Sequence, residues 1–173
     1  QATTTRPAGV AVGVGYLVTG SGSLIPIDTT LMPGKGNLHL TGKLGDVIKE
    51  SASIALSWVK SHAYELGLTK EPGDTLLDHR DVHLHMPEGA IGKEGPSAGV
   101  AFAVSLISLL TDRSLPTKLA MTGEVSLRGM VLPVGGLKEK LLAAHRAGIT
   151  NVILPAHTRR SVEADEPQSV GAV

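Results

Sequence analysis

The hydrophobic pattern divides the chain into short apolar runs, which predict strands, and longer segments with helical spacing. Strands are predicted at residues 9–18, 24–27, 38–40, 81–86, 118–121, 125–127, 130–134 and 151–154, the last of them buried. Helices are predicted at 44–66, 98–110 and 137–147, with Gly67 and Gly148 ending the first and third. Together these elements predict an α+β fold: a single mixed-sheet domain with packed helices.

The strand predicted at 81–86 carries two histidines on its polar face. Val82, Leu84 and Met86 share one face, and His83 and His85 share the other. Two histidines at this spacing are most simply hydrogen-bonding residues of the fold. They would also suit a metal site or a base for a nearby nucleophile. A metal is disfavoured, because the chain has no Cys and no HExxH motif and offers only scattered carboxylates as further ligands.

The string KEGPSAG stands directly before the most apolar helix of the chain. Pro96 biases Gly95 toward an extended conformation, and serine is a favoured cap, so Ser97 is predicted at the helix N-cap. The first helical N–H groups have no partner within the helix and are able to stabilise an oxyanion forming beside Ser97. A serine at this position is usually only a cap, so a catalytic role requires a second group.

The third predicted helix supplies a candidate for that group. At about 100° per residue, Lys140 falls within the apolar stripe with Leu141 and Ala144, whereas Lys138 and Glu139 face water. One interpretation is that Lys140 extends its ammonium group to solvent along an apolar stem. The other is that burial lowers the pKa of Lys140, which leaves a neutral amine able to accept the proton of a hydroxyl such as that of Ser97.

Composition removes several classes of function. The 173 residues include sixteen basic and sixteen acidic residues but only one Phe, one Trp and two Tyr, which disfavours a nucleic-acid surface. The absence of Cys excludes disulfide and thiolate chemistry. The N-terminus has no signal-peptide pattern, and no apolar run is long enough to span a membrane. We therefore expect an intracellular protein that is neither secreted nor membrane-embedded.

Five strings in order, GKLGDVIKESA, VHLHMPEGA, KEGPSAG, AMTGEVSLRG and LPVGGLKEKLLAAHRAG, closely resemble the proteolytic domain of the ATP-dependent Lon protease family. The resemblance covers essentially the whole chain and implies one proteolytic domain, residues 1–173. It implies that Ser97 is the nucleophile of a Ser-Lys dyad, that Lys140 is its base and that Thr122 orients Lys140. Glu94, Pro96 and His85 are expected to line the site. Glu94 stands where many family members have Asp.

The resemblance also implies the wider function: a serine endopeptidase that cleaves unfolded or damaged proteins as a homo-hexamer fed by an AAA+ ATPase. The chain has no GxxxxGK[ST] string, so ATP and Mg²⁺ are implied only for an ATPase module outside it, and no cofactor is expected in this domain. The strings LSWVKSHAYELGLT and DVHLHMPEGA look closest to the peroxisomal branch, with the mitochondrial matrix and bacterial cytoplasm as alternatives. The rival functions are a Ser-His hydrolase using His83 or His85 and a non-catalytic assembly domain.

Overall fold

A computed structural model of the chain describes residues 4–16, 20–42, 44–87 and 95–158. The main sheet has six strands in the order β3-β4-β2-β1-β5-β8, and a separate two-stranded sheet pairs β6 with β7. The bounds are β1 Val10–Tyr16, β2 Gly22–Pro33, β3 Leu38–Thr41, β4 Arg80–His85, β5 Leu119–Met121, β6 Glu124–Val125, β7 Val131–Leu132 and β8 Asn151–Ile153.

The main sheet is mixed, as the sequence predicted. β2 pairs antiparallel with β1 and with β4, whereas the β3–β4, β1–β5 and β5–β8 pairs are parallel. The described residues form three α-helices: α1 Asp46–Ser61, α2 Gly99–Thr111 and α3 Leu137–Arg146. α2 and α3 pack against the main sheet, and α1 packs on α2. The predicted α+β fold class is therefore confirmed.

The helices divide the hydrophobic core between the two faces of the sheet. α1 and α2 pack together in the main cluster, in which Ala52, Phe102, Leu106 and Ile27 are 0% exposed. Successive strand residues point to opposite faces of the sheet. Val12 and Val14 of β1 therefore lie on the other face, where they form a smaller cluster with Ala120. α3 contacts β1 and β2. Strand β1 therefore lies close to α3, which carries Lys140, and to the turn before α2, which carries Ser97.

Strand β2 is longer than the predicted strand 24–27 and continues through the polar run that follows it. Asp28, Thr29 and Thr30 interrupt the apolar pattern, but Thr29 is 3% exposed and its hydroxyl donates to the carbonyl oxygen of Gly9 at 2.7 Å. A buried hydroxyl with a backbone partner is compatible with a central strand. The polar run was therefore misinterpreted as the end of the strand.

Two other predicted elements differ from the structure. α1 ends at Ser61 rather than near residue 66, and turns follow to Gly67, whose φ of 73° confirms the predicted left-handed residue. The predicted buried strand at 151–154 is the edge strand β8, where Asn151 and Ile153 are exposed. Strand β8 pairs with β5 along one edge only, so its apolar residues do not indicate a strand buried between two others. The predicted strand ends at Leu17 and Val18 and the tail beyond Thr158 lie outside the described residues.

Candidate functional site

Ser97 lies in a single 3₁₀ turn, Pro96–Ala98, that leads directly into α2. Gly95 is extended (φ −140°, ψ 159°), as predicted from the proline that follows it. The prediction that Ser97 caps α2 is wrong: the N-cap residue is Ala98, and no side chain caps the helix. Proline, with its fixed φ, begins the turn one residue before Ser97. The Ser97 hydroxyl is therefore not used as a cap.

The backbone from Ser97 to Val100 is held by the segment that follows β5. The Gly123 N–H donates to the Ser97 carbonyl at 2.9 Å, and the Val100 N–H donates to the Gly123 carbonyl at 3.0 Å. The approach leaves no space for side chains, because a Cβ on Gly99 would lie 2.8 Å from the Val125 nitrogen. Gly99 of GPSAG and Gly123 of MTGE thus allow the two backbone segments to lie in contact.

Lys140 projects from the first turn of α3 into the protein. The helix begins after Gly136, which has φ 66° and whose absent Cβ would meet the ring of Tyr16 at 2.7 Å. Lys140 is 3% exposed, which confirms the predicted burial and excludes a solvent-extended ammonium. Its Nζ donates to the Thr122 hydroxyl at 3.2 Å, and Thr122 is 1% exposed.

Burial lowers the pKa of Lys140 below its ordinary value of 10.5, because desolvation penalises the charged amine. A hydroxyl partner compensates an ammonium group less than a carboxylate would. Burial therefore shifts the equilibrium toward the neutral amine, the form of lysine that can accept a proton.

Two consecutive residues hold both candidate catalytic groups. Thr122 contacts the Lys140 amine through its hydroxyl, and Gly123 binds the Ser97 carbonyl through its N–H. The Thr122 N–H donates to the Ile153 carbonyl at 3.1 Å, which fixes this segment to β8. The relative position of the serine turn and the lysine is thus set by one short stretch of backbone.

Ser97 and Lys140 line one cleft of about 690 Å³. The charged residues on its wall are Lys140, Glu124 and Glu139. The remainder of the wall is mostly apolar or backbone and comprises Gly15, Tyr16, Ile25, Ile48, Met86, Gly95, Pro96, Ala98, Pro133, Val134, Gly135 and Gly136. A hydroxyl and a buried amine in one apolar cleft can perform nucleophilic acyl transfer, with the amine as base and then as acid.

The other predicted site residues are distributed differently. Pro96 lines the cleft, as expected, and Glu94 lies outside the described residues. His83 and His85 instead line a pocket of about 250 Å³ together with Thr41. His83 Nε2 and His85 Nδ1 lie 2.9 Å and 2.7 Å from the Thr41 hydroxyl. Among the described residues, neither histidine belongs to the wall of the Ser97 cleft.

Sequence reasoning missed several parts of the cleft. Gly15 and Tyr16 end a strand and carry no pattern that marks them, and the contact of Gly123 with Ser97 joins segments far apart in the chain. Strand alternation placed Met86 on the face of Val82 and Leu84, and it is 2% exposed, but nothing in the pattern assigned it to the cleft. The glycines of the two motifs were the available signal, since each marks a close backbone approach.

Residues 4–16, 20–42, 44–87 and 95–158 contain neither a candidate metal site nor a candidate membrane-spanning helix. No cluster of three or more His, Asp or Glu residues in them is arranged to hold a metal ion. None of the helices within those ranges is long and apolar enough to cross a membrane.

The fold and the cleft define a class: an α+β domain in which a serine turn and a buried lysine line one cleft, an arrangement that suits hydrolases that pair Ser with Lys. The chain belongs to the family of Lon protease (S16) C-terminal proteolytic domains, whose model matches residues 1–172. It is 54% identical over 155 residues to the Lon protease of Heliobacterium modesticaldum, covering 90% of this chain and 18% of that protein.

Two further relatives match to a similar degree. Lon protease 1 of Bacillus subtilis is 50% identical over 170 residues, covering 98% of this chain and 21% of the relative. Lon protease homolog 2, peroxisomal, of Oryza sativa subsp. indica is 51% identical over 158 residues, covering 91% of this chain and 18% of the relative. The chain thus spans about a fifth of the length of the curated relatives it matches.

Proposed function

We propose that this domain hydrolyses peptide bonds through an acyl-enzyme formed on Ser97. Ser97 Oγ attacks the scissile carbonyl carbon while neutral Lys140 takes the hydroxyl proton. Lys140 then donates that proton to the departing amine nitrogen, which leaves as the new N-terminus. Lys140 next takes a proton from water, the resulting hydroxide attacks the ester carbonyl, and the proton returns to Ser97 Oγ. N–H groups near Ser97 stabilise the oxyanion.

The observation that supports this proposal most strongly is the environment of Lys140. A lysine buried to 3% exposure beside the Thr122 hydroxyl, in the same cleft as Ser97, has a pKa lowered by desolvation. Such burial is costly for a structural lysine and useful for a base. Thr122 is proposed to direct the lone pair of Lys140 toward Ser97 by holding the amine in one orientation.

The wider proposal concerns the longer protein to which such a domain belongs. The domain would cleave unfolded or damaged proteins within a homo-hexamer, and an AAA+ module of the same polypeptide would use ATP and Mg²⁺ to deliver them. We also propose the peroxisomal matrix as the compartment, on the strings LSWVKSHAYELGLT and DVHLHMPEGA. Bacterial and peroxisomal relatives match equally well, so imaging of the full-length protein with its native C-terminus tests this part.

Substitution separates the dyad from the histidine alternative. In the full-length ATPase-bearing protein, Ser97→Ala and Lys140→Ala should each abolish cleavage of an unfolded protein, because residues that act as a unit lose activity together. His85→Ala should retain most of the activity. An active Lys140→Ala variant, or a His85→Ala variant as inactive as Ser97→Ala, would contradict the proposed mechanism.

A further inference from the structure

One buried hydroxyl lies behind the turn that carries Ser97. The buried residues of α1 are Ile48, Ser51, Ala52, Ala55, Leu56 and Val59, and among them only Ser51 is polar. Ser51 is 4% exposed. A hydroxyl in an apolar helix face costs stability unless it finds a partner, so the partner of Ser51 shows what the hydroxyl does.

That partner is the backbone next to the nucleophile. Ser51 Oγ donates to the Pro96 carbonyl oxygen at 3.5 Å, at the long end of the hydrogen-bond range. The same oxygen accepts the Gly99 N–H that closes the 3₁₀ turn. Ser51 Oγ also lies 3.3 Å from the position that a Cβ on Gly99 would occupy. The hydroxyl therefore binds the backbone just before Ser97 and lies close to Gly99 on the other side of it.

The turn is held from two directions. On one side, the Gly123 N–H binds the Ser97 carbonyl; on the other, Ser51 of α1 binds the Pro96 carbonyl. Gly123 is connected to Lys140 through its neighbour Thr122, whereas Ser51 has no contact with Lys140 among its described hydrogen bonds. The two contacts can therefore be separated experimentally: one affects both catalytic groups, and the other affects only the serine turn.

We propose that Ser51 is a positioning residue that holds the Pro96–Ala98 turn so that the Ser97 hydroxyl faces Lys140. This inference rests on the proposed role of Ser97 as nucleophile. Loss of the Ser51 hydroxyl would let the turn relax toward α1, and a displacement of about 1 Å at a reacting group can lower a rate by about a hundredfold. Since Ser51 does not touch substrate or Lys140, its loss should lower kcat and leave KM nearly unchanged.

The test is the rate at which a fluorophosphonate labels Ser97 in the full-length protein, measured across pH. Ser51→Ala should label on the order of tenfold to a hundredfold more slowly than the parent, with an unchanged pH midpoint, because the surroundings of Lys140 are intact. Ser51→Thr, which keeps the hydroxyl, should recover most of the rate. Ser51→Cys keeps the volume with a weaker donor and should resemble Ser51→Ala.

Ser105→Ala is the matched control, because Ser105 is 0% exposed and donates at 2.8 Å to the Phe102 carbonyl within α2. It should label at the parent rate. Parent-like labelling of Ser51→Ala, parent-like labelling of Ser51→Cys, or a shifted pH midpoint in Ser51→Ala would each overturn the positioning role. Failure of the parent itself to label at Ser97 would instead refute the proposed function.

Discussion

Replacing Lys140 with methionine should abolish activity and yet stabilise the fold. Methionine keeps the unbranched shape and approximate length of lysine and removes the charge. Burial of an ammonium group costs several kcal/mol after relaxation, and a hydrogen bond from a charged donor returns about 1.5–3 kcal/mol. With Lys140 3% exposed and Thr122 as its described hydrogen-bond partner, the difference is a net cost of about 1–3 kcal/mol at neutral pH.

The pH dependence has a definite sign. Burial lowers the folded-state pKa of Lys140 below 10.5, so between the two pKa values the unfolded chain binds more protons than the folded one. The contribution of this group to stability therefore rises with pH across that window, and its penalty is complete below the folded-state pKa. The stability advantage of Lys140→Met should be largest at low and neutral pH and should shrink as the pH approaches 10.5.

Urea unfolding of the parent and Lys140→Met proteins at three pH values measures this difference. Lys138→Met is the control, because Lys138 is on the same helix but exposed to solvent. Its unfolding free energy should change by less than about 0.5 kcal/mol. If Lys140→Met is less stable than the parent at neutral pH, Lys140 is a charged and satisfied structural residue, and the argument for a neutral base fails.

Two further predictions concern hydrogen bonds. Thr122→Val removes the hydroxyl that Lys140 contacts at 3.2 Å and should lower the labelling rate of Ser97 about tenfold or more without unfolding the protein; unchanged kinetics would remove Thr122 from the site. Asp81 has its pKa lowered to about 2, chiefly by its hydrogen bond with His39, so it stabilises the fold above about pH 4 and loses that effect as the pH falls toward 2. Asp81→Asn should therefore be less stable than the parent at neutral pH and should lose less stability than the parent on acidification. Thermal unfolding from pH 7 to pH 2 measures both effects, and the exposed Asp78→Asn control should follow the parent.

The burial of Lys140 was predictable because it depends on the periodicity of one regular helix. α3 runs without interruption between Gly136 and Gly148, so helical periodicity alone assigned Lys140 to the buried face. The same reasoning assigned Val82 and Leu84 to the core through strand alternation, and both are 0% exposed. Patterns of this kind are local, and they succeed where the element is regular.

The errors arose where tertiary contacts decide local structure. Ser97 was predicted as a cap, but its carbonyl is bound by Gly123, and the turn begins at Pro96. Strand alternation places Asp81 on the face of the histidines, yet it is 8% exposed because the loop after β2 folds over it. Its carboxylate accepts the Lys35 and Asn37 N–H groups at 2.8 Å each. No spacing along one segment encodes such a contact.

The same limit applies to the cleft as a whole. Its wall combines the ends of β1 and β4, the serine turn and the start of α3, which are separated in the chain and meet only in the folded protein. The motif glycines indicated that backbones would approach closely, but not which ones. The sequence could therefore propose Ser97 and Lys140 as a catalytic pair, whereas the shape of the cleft required the structure.

The most direct test of the central claim is to identify the residue that forms the acyl-type adduct and to determine whether it depends on Lys140. The full-length protein is treated with a fluorophosphonate near neutral pH, and the adduct is located by peptide mass spectrometry in the parent and Lys140→Ala proteins. The account predicts one adduct on Ser97 in the parent and little or none in Lys140→Ala. An adduct on another residue, or equally fast labelling of Ser97 without Lys140, would contradict it.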